Sequence, residues 1–357
     1  MSAISTSNRA LVLGRGKSGE AAAKVLREQG LEVDFAEGYD LVVASPGLQV
    51  KSELELGCLE LKKRGWKLLA VTGSKGKSSV VKLVAEALHG IPCGNYGTPV
   101  SELVGLPAGW AVVEVSSFQL ETTTLPPDTF EAAAILNLQE DHLDRHGTKE
   151  VYHNLKKKLL TFAKEGITSA DAADIKLLEG SYFDNEILES NGAIGVKLMR
   201  AAGLEDEAIR GAFIDFKPLK HRMNLVGEIG GVKYIDDSKA TSLAALEAGV
   251  KMAEGKVRLI AGGLPKGDDP KSVLTTLTKR VEKVYLIGVA ANSFFDAWHE
   301  SVSCEICGTI EKAVEKAKAE AVKGESVLLS PGTASFDQFK SYGERGDVFA
   351  SLVKKEG

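Results

Sequence analysis

The residues whose types and spacing most clearly point to chemistry are Thr72-Gly73-Ser74-Lys75-Gly76-Lys77-Ser78-Ser79. Two glycines let a loop turn tightly with its amide hydrogens facing inward, and the helix that follows adds its positive end. An ammonium and a hydroxyl at the exit can then reach outer phosphates and a divalent cation. The pattern predicts a cradle for a nucleoside triphosphate, built from Gly73, Ser74, Lys75, Gly76, Lys77, Ser78 and Ser79, with Ser78 on Mg²⁺. Val71 stands where the general G-x-x-x-x-G-K-[ST] pattern has its first glycine, so this is a shorter Thr-Gly-x-x-Gly-Lys-Ser form.

Other reactive groups cluster at the ends of apolar runs. Glu114 closes the run from Trp110 and is a Mg²⁺ ligand or a structurally paired carboxylate. Acids and imidazoles crowd Gln139 to Gly147, including His142, as a metal or anion contact or as a solvated capping loop. Lys156-Lys157-Lys158 reads as a solvated helix face. Gly14-x-Gly16-x-x-Gly19 lies between a short strand and a helix, with Asp34 near the spacing of a ribose-binding acid. The same glycines also suit plain strand–helix packing. Further on, Asp237-Ser238-Lys239-Ala240-Thr241, Gly262-Gly263 with Lys266, and Ser335 to Lys340 each follow a strand. Asp237 or Ser238 can cap a helix there, and the lysines and hydroxyls suit a substrate carboxylate.

These groups need strands to carry them. Ala10–Leu13 and Leu41–Ala44, then Leu68–Val71, Trp110–Val115 and Ala132–Leu138, then Val232–Ile235, Val257–Ala261, Lys283–Ile287 and Ser326–Leu329 are near-continuous apolar runs, as parallel strands covered on both faces are. Helical stretches alternate with them, the first over Glu20–Gln29. The expected fold is α/β in three consecutive domains: an N-terminal Rossmann-like domain over 1–66, a central P-loop ATPase-like parallel sheet over 67–218, and a C-terminal Rossmann-like domain over 219–357. The 357 residues suit two or three domains of ~100–200 residues each. Apolar residues make up 44%, enough for packed cores, and 44 basic against 49 acidic side chains leave a net charge of −5. That balance argues against nucleic-acid and membrane-surface partners, and no run approaches the ~20 apolar residues of a membrane span. The polar start from Met1 to Asn8 shows no signal peptide, and a cytoplasmic monomer is expected. Cys304-x-x-Cys307 lacks the second pair or histidines of a zinc site, so small buried residues near a strand are expected.

Assembled, these segments resemble the ATP-dependent Mur ligases of peptidoglycan precursor synthesis, over nearly the whole chain. The short phosphate loop is similar to that family's. So are Glu114-x-Ser116-Ser117-Phe118-Gln119-Leu120-Glu121, Asp237-Ser238-Lys239-Ala240-Thr241, and Leu329-Ser330-Pro331 through Ala334-Ser335-Phe336-Asp337-Gln338-Phe339 to Arg345-Gly346. These last three look most like the branch that adds D-glutamate to UDP-N-acetylmuramoyl-L-alanine. The resemblance implies ATP, two Mg²⁺ ions and an acyl-phosphate intermediate. It puts Lys77 on the β/γ phosphates, Ser78 and Glu114 on the first Mg²⁺, and His142 with a carbamylated Lys156 on the second. It puts Asn191, Arg222 and Asp237 on ATP, and Gly14, Ser18, Asn95, Ser116 and Gln119 on the nucleotide-sugar substrate. Lys239, Thr241, Lys266, Ser335 and Tyr342 would surround D-glutamate or the acyl phosphate. Phe35-Ala36-Glu37 departs from the Asp-Thr-Arg uracil contact of the family, and Asn191 alone matches its His-Asn-x-x-Asn motif. A related ligase for another amino acid and a non-catalytic nucleotide-binding paralogue are the alternatives.

Overall fold

The computed structural model describes residues 8–38, 50–139, 142–185 and 188–355. The chain divides into two compact units, with the boundary between Lys217 and Pro218. The expected strand Leu41–Ala44 lies outside the described residues.

The first unit opens with β1 (Arg9–Leu13) and β2 (Glu32–Ala36), a parallel pair joined through helix Lys17–Glu28. That helix starts three residues earlier than expected, because Gly16 takes the cap position and Lys17 already has helical backbone. The main sheet holds β3 (Lys67–Thr72), β4 (Ile91–Gly94), β5 (Trp110–Glu114), β6 (Phe130–Ile135) and β7 (Ala163–Ile167), all parallel, in the order β4-β5-β3-β6-β7. β3 lies between β5 and β6: the chain runs from β3 out to β4, back to β5, and then crosses β3 to β6. This is the switch point at which open parallel sheets bind ligands beyond their carboxyl ends. The apolar runs of β3, β5 and β6 are buried along nearly their full length. Helix Glu53–Lys63 is capped by Ser52, whose hydroxyl accepts from Glu55 N at 3.1 Å. It buries Leu54, Cys58 and Leu61 in the same core as Leu68, Ala70 and Val113, and Val25 of the first helix joins them. The first block therefore shares the core of the central sheet.

The second unit holds β8 (Asn224–Ile229), β9 (Val232–Asp236), β10 (Val257–Gly262), β11 (Val281–Ile287), β12 (Ser303–Gly308) and β13 (Ser326–Leu329). The order is β12-β11-β10-β13-β9-β8, parallel except for β8. Two apolar layers cover its faces, one around Leu246, Leu259 and Trp298, the other around Ile260, Ile310 and Phe349. Cys304 and Cys307 lie on β12 three residues apart, so they point to opposite faces. Cys304 packs against the first layer and Cys307 in the second, both as free thiols.

Candidate functional site

The phosphate loop joins β3 to helix Lys77–Ala87. Gly76 takes the cap position at φ +85, and a Cβ there would stand 2.2 Å from Asn191 Nδ2. Both facts require glycine. Asn137 laces the loop: its Oδ1 accepts from Lys75 N at 2.9 Å, and its Nδ2 donates to Lys75 O at 2.8 Å and to Asn191 Oδ1 at 3.2 Å. Asn191 is buried against the loop itself. Ser74 is held by Gln139 N at 3.0 Å and by the Tyr152 hydroxyl at 3.0 Å. Lys77 Nζ donates to Gly73 O at 2.8 Å and Ser74 O at 3.1 Å, so its ammonium curls over the mouth of the loop. Ser78 is half-buried and Ser79 fully buried on the first helical turn.

Glu114 ends β5 beside this loop, 3% exposed. Its Oε1 accepts from Asn95 Nδ2 at 2.8 Å, and Asn95 N donates to Glu114 O at 2.8 Å. Its Oε2 is buried and has no hydrogen-bond partner among the described residues. A buried carboxylate oxygen without a donor is costly, and a hard cation satisfies it. The donor set therefore fits Mg²⁺. Asn95, expected on the substrate, orients this carboxylate. Ser116 and Gln119 form a capping box on helix Ser117–Thr122: Gln119 N donates to Ser116 Oγ at 3.2 Å, and Ser116 N to Gln119 Oε1 at 2.9 Å.

His142 is exposed, at φ +52, with its ring edge-on to Phe118 at 4.9 Å. Its neighbours Glu140 and Asp141 lie outside the described residues. His146, not singled out in the sequence, is buried between Ser117 Oγ at 3.0 Å and Glu121 Oε1 at 3.1 Å. The Glu121 carboxyl lies below its ordinary range because Arg145 donates to it from two nitrogens. The solvated-face reading fails for Lys156, which is 2% exposed on helix Lys149–Lys158. Its Nζ donates to Gly73 O at 2.9 Å and lies 4.7 Å from the centre of the Tyr152 ring. Lys156 lies on the helix face turned toward the loop, while Lys157 is exposed. In the first block, Gly14 and Ser18 are exposed, and a Cβ on Gly19 would meet Gly14 O at 2.0 Å, so Gly19 serves close packing. Asp34 pairs with Arg9 at 2.6 Å. Glu37, just past the end of β2, is the acid beside the glycine turn, accepting from Arg15 N at 2.9 Å.

In the second unit the strand ends of β9, β10 and β13 converge on a buried polar floor. His221 Nδ1 lies 2.7 Å from Asp236 Oδ2, and Ser238 N donates to Asp236 Oδ1 at 3.0 Å. Asp237 is buried, with Ser330 Oγ donating to its Oδ2 at 2.8 Å and Met223 N to its Oδ1 at 3.3 Å. Both its oxygens are thus taken within this unit. Burial pushes its carboxyl up to about 7, against the pull of Ser330 and Arg222. Arg222 Nε is buried with no partner among the described residues. The expected helix cap at Asp237 or Ser238 is instead Ser242, whose hydroxyl accepts from Ala245 N. Above this floor, Lys266 Nζ donates to Thr241 Oγ1 at 3.4 Å, and Lys239 Nζ lies 5.8 Å from the Tyr342 ring centre. Ser335 is buried and Tyr342 is 39% exposed. Two ammonium groups with hydroxyls close by can hold carboxylates.

Among the described residues no helix is long and apolar enough to cross a membrane. The Mur ligase middle domain matches residues 71–228, and the Mur ligase glutamate ligase domain matches 221–332. The UDP-N-acetylmuramoylalanine–D-glutamate ligase of Acidobacterium capsulatum is 32% identical, covering 97% of this chain and 96% of its own. That of Nitratidesulfovibrio vulgaris strain DP4 is 32% identical over the same shares. Among solved structures, the MurF ligase of Thermotoga maritima in complex with ADP is similar at a TM-score of 0.62 and 18% identity, covering 96% of this chain and 93% of that one. The phosphate loop, the Glu114 carboxylate and these matches across both units lead to one conclusion: the chain belongs to the Mur ligase family.

Proposed function

We propose that this protein is an ATP-dependent, ADP-forming ligase that joins D-glutamate to UDP-N-acetylmuramoyl-L-alanine in peptidoglycan precursor synthesis, working as a cytoplasmic monomer. The names of the relatives support the substrates. The observation that carries the reading is Glu114 Oε2, buried and without a partner beside the phosphate loop. On this reading residues 1–66 take the nucleotide-sugar substrate, 67–218 take ATP and 219–357 take the amino acid.

A carboxylate is a poor electrophile, so amide formation needs activation. The alanyl carboxylate attacks the γ-phosphorus of ATP, and ADP leaves. The amine of D-glutamate then attacks the acyl carbon, loses a proton, and expels phosphate. Lys77 releases its two loop carbonyls and follows the charge of the transferring phosphoryl group. Amides of the Gly73–Ser79 loop supply donors, those of Ser74, Lys75 and Ser79 excepted because Asn137 O, Asn137 Oδ1 and Gly76 O already accept from them; Asn137 and Asn191 hold the loop in shape. Ser78 and Glu114 would hold one Mg²⁺, and His142 with Lys156 a second; bound there, the ions neutralise phosphoryl charge. Lys156 serves as a carbamate, because an ammonium repels Mg²⁺ whereas a carbamate presents two hard oxygens. Arg222 and Asp237 serve the nucleotide, and Gly14, Ser18, Asn95, Ser116 and Gln119 the acyl donor. Lys239, Thr241, Lys266, Ser335 and Tyr342 hold D-glutamate by its carboxylates.

The test is ADP formation from ATP and UDP-N-acetylmuramoyl-L-alanine with a panel of D- and L-amino acids. Turnover with D-glutamate alone is expected. Turnover with a different amino acid overturns the substrate, and none with any amino acid favours a non-catalytic paralogue.

A further inference from the structure

We infer that Arg345 is the positioning residue that sets the spacing of the amino-acid-binding groups in the second unit. The inference rests on the reading of Lys239 and Ser335 as carboxylate-binding groups, and it adds a residue that the reading does not use.

Arg345 lies on helix Tyr342–Lys354 and is fully buried. No carboxylate stands within ion-pairing distance of it among the described residues. Burial pulls its guanidinium down to about 10, against the weaker influence of Asp337 and Asp236. The cation is held by hydrogen bonds instead. Nε donates to Ser238 Oγ at 2.9 Å, and Nη2 to Ser238 O at 3.0 Å and Thr333 O at 3.1 Å; Nη1 donates to Ala334 O at 3.3 Å. Four acceptors thus occupy a fork of five N–H donors, and no exposed surface remains for a substrate.

The identity of those acceptors carries the inference. Ser238 O belongs to the peptide that leads into Lys239, and Ala334 O to the peptide that leads into Ser335. Ser238 Oγ donates in turn to Tyr342 O at 2.8 Å. One rigid planar group therefore grips the backbone beside Lys239 and Ser335, two groups on separate turns, and Ser238 Oγ ties the first of these turns to Tyr342 at the start of its own helix. Gly263 shows how tight the seat is: a Cβ there would lie 2.4 Å from Ala334 O and 3.0 Å from Arg345 Nη1. Lysine has a single point of donation and cannot span Ser238 and Thr333-Ala334 together. Replacing Arg345 should let the two turns drift apart, misplacing the amino acid while leaving ATP binding alone.

The test is Arg345→Lys, with KM measured separately for D-glutamate and ATP and with thermal unfolding recorded alongside. KM for D-glutamate should rise about tenfold or more, while KM for ATP stays within about twofold. In a Lys239→Ala background the same change should add a smaller rise, because part of the effect of Arg345 runs through Lys239 and the rest through Ser335. Ser238→Ala removes one acceptor only and should give a smaller rise in the same constant, which covers the case in which Arg345→Lys does not fold. A lowered unfolding temperature with both KM values unchanged would make Arg345 structural only and overturn the inference, as would an equal rise in both KM values. If the parent enzyme uses a different amino acid, the substrate reading fails. The split is then read on that amino acid and still decides the role of Arg345.

Discussion

The two strand-end crevices are built on opposite plans. In the first unit the loop after β3 is made of glycines and backbone amides, and the carboxylate beside it keeps one buried oxygen unsatisfied. In the second unit the buried carboxylates Asp236 and Asp237 are fully hydrogen-bonded, Arg345 has four acceptors, and the side chains that could meet a ligand stand above this floor. On the proposed reading, the difference follows the ligand. Phosphate and metal are small, highly charged and sterically rigid, so their site needs donors and acceptors already in place. An amino acid can be held by long cations, provided the backbone that carries them does not move.

The largest test of this contrast is Lys77→Ala. Loss of the ammonium that follows the phosphoryl charge should lower ATP-dependent phosphate release by about 10³-fold, without loss of folded protein by circular dichroism. Full activity would show that the loop is no catalytic cradle. Next comes Lys156→Ala, expected to cost about 10²-fold in turnover and to regain part of it with added formate or acetate. Parent-like turnover would remove the carbamate from the account. In the second unit, Gly346→Ala should act on stability. The new Cβ would lie 2.1 Å from His221 Nδ1 and 2.7 Å from Asp236 Oδ2. Helix propensity favours alanine by about 1 kcal/mol, but overpacking and a disturbed His–Asp pair outweigh it, for a net loss of about 2 kcal/mol in denaturant unfolding. An unchanged midpoint would mean that the floor yields easily.

The smallest effect is a pH slope. The Asp237 carboxyl is raised from 3.8 to about 7. Above 3.8 the unfolded chain loses this proton while the folded chain keeps it, so this group's contribution to stability falls as pH rises toward about 7 and then levels off. Asp237→Asn should flatten that part of the profile for the second unit, read as unfolding midpoint against pH. An identical slope in the variant would assign the pH dependence to other groups.

Much of the architecture was legible because buried parallel strands write themselves as unbroken apolar runs. Val257–Gly262 and Ser326–Leu329 match their runs to within a residue. Shorter or more polar strands left no such trace: Ile91–Gly94 contains a proline, Ala163–Ile167 a lysine and a glutamate, and Ser303–Gly308 alternates polar with apolar residues. Asn137 was hidden inside an apolar run expected to reach Leu138, whereas the strand ends three residues earlier, at Ile135. A polar residue just past a strand beside the phosphate loop is the signal that would have found it. Arg345 closes a family-like segment and His146 sits in the acid–imidazole cluster, but nothing local gives their roles, since their partners lie 11 to 107 and 25 to 29 residues away.

The strand–loop–helix of the phosphate site needed only its own dozen residues, because glycine freedom, amide direction and helix polarity are properties of contiguous chain. Which carboxylate oxygen stays unpaired, which lysine of three turns inward, and which arginine ties distant turns together are matters of packing. Burial and hydrogen-bond partnership there are set by segments far apart in the chain, and those segments meet only when the sheets close.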